Sequence, residues 1–106
     1  MFHIPEPASL PADANRTPKF LLGQIVATPA ALALLEEHKR SPLELLARHV
    51  SGDWGDVPPQ DARMNDSALE CGGRLLSSYL IAPNTKVWVI TEASREATTV
   101  LTPADY

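Results

Sequence analysis

Two aspartates flank a tryptophan in SGDWGDVPPQD, residues 51–61. Asp53 and Asp56 could act as general acid and base if the Trp54 indole excluded water and raised one carboxyl pKa. The same residues suit binding, with the carboxylates steering a basic partner and an exposed indole supplying desolvated area. They also suit a purely structural task. Gly52 and Gly55 permit tight turns, the aspartates cap turns or the next helix, and Trp54 plugs one end of the core. A second polar group, Thr91-Glu92 with Ser94, Arg95 and Glu96, falls on a turn between strands. There Glu92 and Arg95 would pair, and Arg95 would reach Asp53 or Asp56 if that turn lay beside the loop. The expected partner-binding surface is Asp53, Trp54, Asp56, Asp61, Asn65, Glu92 and Arg95. The competing enzyme reading uses Asp53 or Asp56 with Arg95 on a nucleotide or nucleic acid, and needs a concave pocket that a chain this small would complete as a homodimer.

Other chemistries lack their residues. His3, His38 and His49 are scattered and Cys71 is alone, so neither a zinc site nor an internal disulfide is expected. Asp53, Asp56 and Asp61 do not follow the alternating oxygen ligands of a calcium loop. There is no G-x-S-x-G elbow, G-x-G-x-x-G loop or Walker A lysine, so no cofactor is expected.

The formal charge of −4 is localised. Asp53, Asp56, Asp61, Asp66 and Glu70 stand against Arg63 within residues 51–71, while the rest of the chain balances. A phosphate backbone would be repelled there, so a protein with a basic surface is the expected partner and direct nucleic-acid contact is not. Mimicry of a nucleic acid would need more carboxylates at phosphate spacing than these five. The longest apolar run, AALALL, is too short to span a bilayer. No secretory signal is visible, and the lone cysteine fits a reducing cytoplasm.

These candidates need a scaffold. One domain is expected from 106 residues. Residues 1–19 hold four prolines without periodicity and read as a flexible tail, with Phe2, Ile4 and Leu10 as its docking options. A short strand is expected over 24–28. Thr28-Pro29 then caps a helix that closes on His38-Lys39-Arg40. Ser41-Pro42-Leu43-Glu44 is a capping box, followed by an apolar stripe of Leu43, Leu46, Ala47 and Val50. A third helix is expected from about 59 to 71, stopped by Gly72-Gly73. Its inward face includes Ala62, Asn65, Ala68 and Leu69. A buried amide must be hydrogen-bonded, and the nearest free backbone is that of loop 51–58. RLLSSYLI and KVWVIT alternate about a Pro-Asn turn, and ATTVL adds a strand. The expected fold is α+β: an N-terminal strand, three helices and a three-stranded antiparallel meander, with the helices on one face of the sheet.

FLLGQIVATPAALALLEEH, SPLELLARHVSGDWGD and VWVITEASREATTVLTPADY resemble a family of small uncharacterised proteins from bacterial plasmids, prophages and integrative elements, sometimes labelled type I restriction-modification subunits. The resemblance spans about residues 20–106 and implies an accessory protein of a mobile element with a tie to host defence. The chain departs from the family pattern with Ala30 in place of glycine and Ser94 in place of aspartate, and its ending is less acidic. The restriction label finds no support in the residues: Pro58-Pro59 is preceded by Val57 and followed by Gln60, not by the Asn/Asp and aromatic groups of an adenine methyltransferase.

Overall fold

The computed structural model describes residues 2–4 and 18–106. Residues 1 and 5–17, most of the expected tail, lie outside these, and the docking option at Leu10 lies there too. The chain is α+β, with three helices and a mixed five-stranded sheet: β1 (Phe2–Ile4), β2 (Gln24–Ala27), α1 (Pro29–Glu37), α2 (Pro42–Val50), α3 (Pro59–Cys71), β3 (Leu75–Ala82), β4 (Thr85–Thr91) and β5 (Ala97–Leu101). A 3₁₀ turn, Pro103–Asp105, follows. No described helix is long and apolar enough to cross a membrane.

The sheet order is β1-β2-β5-β4-β3. Two features correct the expected three-stranded arrangement. β2 inserts parallel to β5, with Ile25 opposite Thr98, and β1 adds antiparallel to β2, so part of the expected tail is a strand. Both pairings are non-local, and periodicity within a segment carries no information about them. The β3–β4 hairpin turns at Pro83-Asn84, where Asn84 takes the left-handed φ of 61° that its short polar side chain tolerates.

Period-two alternation decides what is buried. Leu75, Ser77, Tyr79 and Ile81 of β3, Val87, Val89 and Thr91 of β4, and Thr98 and Val100 of β5 all point inward. Ile25 and Ala27 of β2 join them, as do Ala31 and Leu35 of α1 and Leu45, Leu46 and Val50 of α2. No residue of α3 belongs to this apolar cluster, and Asn65 is its one buried side chain. The expectation of three helices on one face therefore fails at α3: a helix this polar has no apolar stripe to bury against a sheet, and it sits at the β3 edge instead.

Helix ends follow local chemistry. The Ser41–Glu44 capping box forms with both bonds in place. Thr28 Oγ1 accepts from the Ala31 amide at 3.2 Å and donates to Asp105 at 2.6 Å, which ties the chain's last turn to the start of α1. Asp105 accepts from the Thr102 amide and hydroxyl as well, and the Thr28 hydroxyl above all holds its carboxyl below the usual range.

α1 stops before the expected cationic cluster. His38 is its C-cap, Lys39 has φ 54°, and the Arg40 amide reaches back to the Leu35 carbonyl at 2.8 Å while Lys39 bonds Glu36. That is a Schellman turn with lysine where glycine is usual. Lys39→Gly is expected to raise stability by about 0.5–1 kcal/mol through removal of the left-handed penalty. The check is the urea midpoint at unchanged slope, and an unchanged or lower midpoint would contradict it.

Candidate functional site

Trp54 is 6 % exposed. Its ring stacks near Phe20, with centroids 6.4 Å apart, and meets the His49 ring edge-on at 5.8 Å. Its indole N–H donates to Asp66 at 3.0 Å. An indole held this way is a plug of the core and not an exposed anchor, which is the structural task among the three that its neighbours allow.

The loop around it is held by β3. As the edge strand, β3 presents backbone groups that β4 does not take. The Ser78 amide donates to the Trp54 carbonyl at 3.1 Å, and the Asp56 amide donates to the Ser78 carbonyl at 2.6 Å. Between them Gly55 runs beside Ser78 with φ 73°, and a Cβ there would collide with the Ser78 carbonyl and the Tyr79 ring. Two residues earlier on the strand, the Asn65 amide takes over. It donates to the Leu76 carbonyl at 2.8 Å and accepts from the Leu76 amide at 3.1 Å, as a neighbouring strand would. Asn65 was expected to hold loop 51–58. It holds β3 instead, because that edge offers a donor and an acceptor from one residue.

The acidic residues are largely engaged. Asp53 accepts from Arg48 at 2.7 and 3.3 Å and from the Gly55 amide at 3.2 Å, and the Tyr79 hydroxyl donates to its carbonyl at 2.6 Å. Arg48 also lies over the Tyr79 ring, 4.5 Å from its centroid, and the bond to Asp53 chiefly raises the Arg48 pKa. Asp56 pairs with Lys86 at 3.1 Å. Asp61 is exposed in the first turn of α3. Arg95 donates to the carbonyls of Gly73 at 2.6 Å, Ala68 at 3.0 Å and Glu92 at 3.1 Å, so it closes the C-terminus of α3. The expected pairing of Arg95 with Asp53 or Asp56 does not form. The Glu92 carboxylate does not take Arg95 either; the Glu92 carbonyl does. The three residues of the enzyme reading are thus divided between two separate tasks.

Residues passed over in the sequence form a buried, hydrogen-bonded polar chain. His49 is fully buried. Its Nδ1 lies 2.6 Å from Ser77 Oγ and its Nε2 2.8 Å from Thr91 Oγ1, which is 2.7 Å from Thr98 Oγ1; Thr98 in turn donates to the Leu22 carbonyl at 2.7 Å. The carbonyl can only accept, so the protons are assigned from that end as far as the imidazole Nε2. Thr98 donates to Leu22, Thr91 donates to Thr98, and His49 Nε2–H donates to Thr91. Burial, with the Arg95 charge as a second cause, lowers the imidazole pKa to about 3, so the ring is neutral and Nδ1 accepts from the Ser77 hydroxyl. The signal was present in phase: Ser77, Thr91 and Thr98 occupy inward positions of their strands, and His49 stands beside Val50 on the apolar side of α2.

Among the described residues no group of three or more His, Cys, Asp or Glu side chains could hold a metal ion. The open surface lies elsewhere. A groove of about 700 Å³ runs between α3 and the start of β3, lined among others by Asp61, Arg63, Met64, Arg74 and Leu76. Beyond it the outer face of the hairpin carries Leu76, Leu80 and Trp88, and Tyr106 folds over Trp88 with ring centroids 5.6 Å apart. Met64 is 63 %, Leu80 48 % and Tyr106 65 % exposed. Compared with protein-family models, curated proteins and solved structures, the chain matches none.

Two outcomes are expected. Asn65→Leu leaves the Leu76 amide and carbonyl unpaired and should cost about 2–5 kcal/mol in denaturant titration, an ordinary loss of amide bonds at each group; a cost below about 1 kcal/mol would mean that water satisfies that edge equally well. For His49, folding lowers the pKa from 6.5 to about 3, so the unfolded chain binds the proton first. Its contribution to stability is complete above pH 6.5 and declines as pH falls toward 3. The urea midpoint should already drop between pH 6.5 and 5, above the carboxylate range, and His49→Gln should flatten that slope while lowering stability at pH 7.

Proposed function

We propose that this chain is a non-catalytic protein-binding module. The observation that carries this reading is the apolar outer surface on and beyond the α3–β3 groove, where Met64, Leu80 and Tyr106 are exposed and Leu76 and Trp88 are half-buried. Large exposed apolar side chains cost solubility, and their clustering beside a concavity is what partner surfaces have in common. Asp53 is committed to Arg48 and the loop, Arg95 to the end of α3, and His49 to its hydroxyls. Trp54 and Asn65 support this surface from behind and are not themselves contact residues. The resemblance of the chain's three segments to proteins of plasmids and prophages supports casting the module as an accessory of a mobile element that modulates a defence or DNA-processing complex.

Met64 and Leu80 are exposed, so Met64→Glu with Leu80→Glu should leave the melting curve unchanged. The expected result is one protein that copurifies stoichiometrically, rebinds when both components are purified, and binds the double variant at least about tenfold more weakly. A complex that the double variant reconstitutes with undiminished affinity would place the interface elsewhere and remove this reading.

A further inference from the structure

The charge of the α3–β3 groove runs against that of the chain. Arg40 pairs with Glu44, Arg48 with Asp53 and Lys86 with Asp56, while Arg95 is committed to carbonyls. Arg63 and Arg74 have no carboxylate partner among the described residues, and both line the groove. Arg74 donates to the Tyr106 hydroxyl at 2.6 Å, a neutral acceptor that orients the guanidinium, 5.4 Å from the Tyr106 ring centroid, without cancelling its charge. Asp61 supplies a single opposing charge at the N-terminal end of the helix, so the lining keeps a surplus of one positive charge. Met64 on α3 and Leu76 on β3 add apolar lining to the same groove.

The backbone of β3 cannot supply recognition here. The outward amide and carbonyl of Leu76 are taken by Asn65, and those of Ser78 by Trp54 and Asp56. A partner cannot add as a strand along that stretch of the edge, and must be recognised through side chains. Planar guanidiniums from helix and strand sharing a groove with apolar side chains match a carboxylate beside an apolar side chain.

We propose that the α3–β3 groove binds an acidic segment of a partner protein, in which carboxylates engage Arg63 and Arg74 and an adjacent apolar side chain rests on Met64 and Leu76. The proposal rests on the protein-binding reading and assigns its partner a chemistry: the contact segment is acidic, where the net charge of this chain alone would favour a basic one.

The test uses three fluorescein-labelled synthetic octapeptides with the same leucines, whose intervening residues are all Glu, all Gln or all Lys. Binding is followed by anisotropy on the full chain, and the site by amide shifts of the isotope-labelled protein. The Glu peptide should bind, weaken as salt rises, and shift amides within 60–76. The Gln and Lys peptides should bind at least about tenfold more weakly, and Arg63→Gln or Arg74→Gln should each cost the Glu peptide a similar factor. Arg63→Glu, at an exposed helix position, should turn the preference toward the Lys peptide. Equal binding of the Glu and Lys peptides, Glu-peptide shifts outside the groove, or Arg63→Glu without effect would overturn the proposal. Self-association through this groove, seen as sedimentation that the Met64→Glu variant abolishes, would overturn it as well. The two readings fail separately: a reconstituted partner that loses affinity for the Met64→Glu, Leu80→Glu variant yet crosslinks to position 64 through a basic segment keeps the binding module and removes the acidic ligand.

Discussion

An edge strand must satisfy the backbone groups that no neighbour takes, and in this molecule that requirement at β3 organises everything packed beside it. Loop 54–56 supplies a donor and an acceptor for Ser78, and the side-chain amide of Asn65 supplies both for Leu76. Sealing the edge from two different segments fixes where the acidic loop lies and how far α3 stands from the sheet. The approach is close enough at residue 55 that only glycine fits, for its φ of 73° and for the absence of a Cβ against Tyr79. Once the loop is set there, its tryptophan has one direction left, inward over His49 and Phe20.

The interior then has to accept an imidazole. It does so with hydroxyls at the inward positions of three strands, and the chain of donors runs one way from Ser77 to the Leu22 carbonyl. Such a group links α2 to β3, β4 and β5 through bonds whose directions cannot be exchanged, because each hydroxyl has a single proton to give. A buried polar chain with every member paired specifies one register among strands that the apolar residues alone would hold less selectively.

Much of the local structure was legible in the sequence for the same reasons that it forms. Proline at the first position of each helix, Ser41 with Glu44, the double glycine after Cys71 and the period-two alternation from Leu75 onward each act within a few residues. What was not legible was long-range. β2 meets β5 more than 70 residues away in the chain, and β1 reaches the sheet only through β2. Which of the loop's three tasks applies was not legible for a related reason. Acidity and an indole in one loop suggest a surface site, but Arg48 precedes Asp53 by five residues and Ser78 follows Asp56 by 22; only their meeting shows that the loop is an internal fastening. His49 was discounted by counting ligands. Its phase on the helix, together with three hydroxyls on inward strand positions, was the signal that mattered.

The way α3 is attached explains why a surface remains free. Three polar contacts dock it: Asn65 to the β3 backbone, Asp66 to the Trp54 indole, and its last carbonyls to Arg95. An amphipathic helix would have spent its apolar residues on the sheet. Here they are not needed for docking, so Met64 faces solvent. The same standoff leaves the concavity between helix and strand open and keeps Arg63 and Arg74 away from the carboxylates that pair with Arg40, Arg48 and Lys86. A helix fastened by directional bonds can therefore present apolar and cationic groups together at no expense to its own attachment, which a helix held by burial alone could not do.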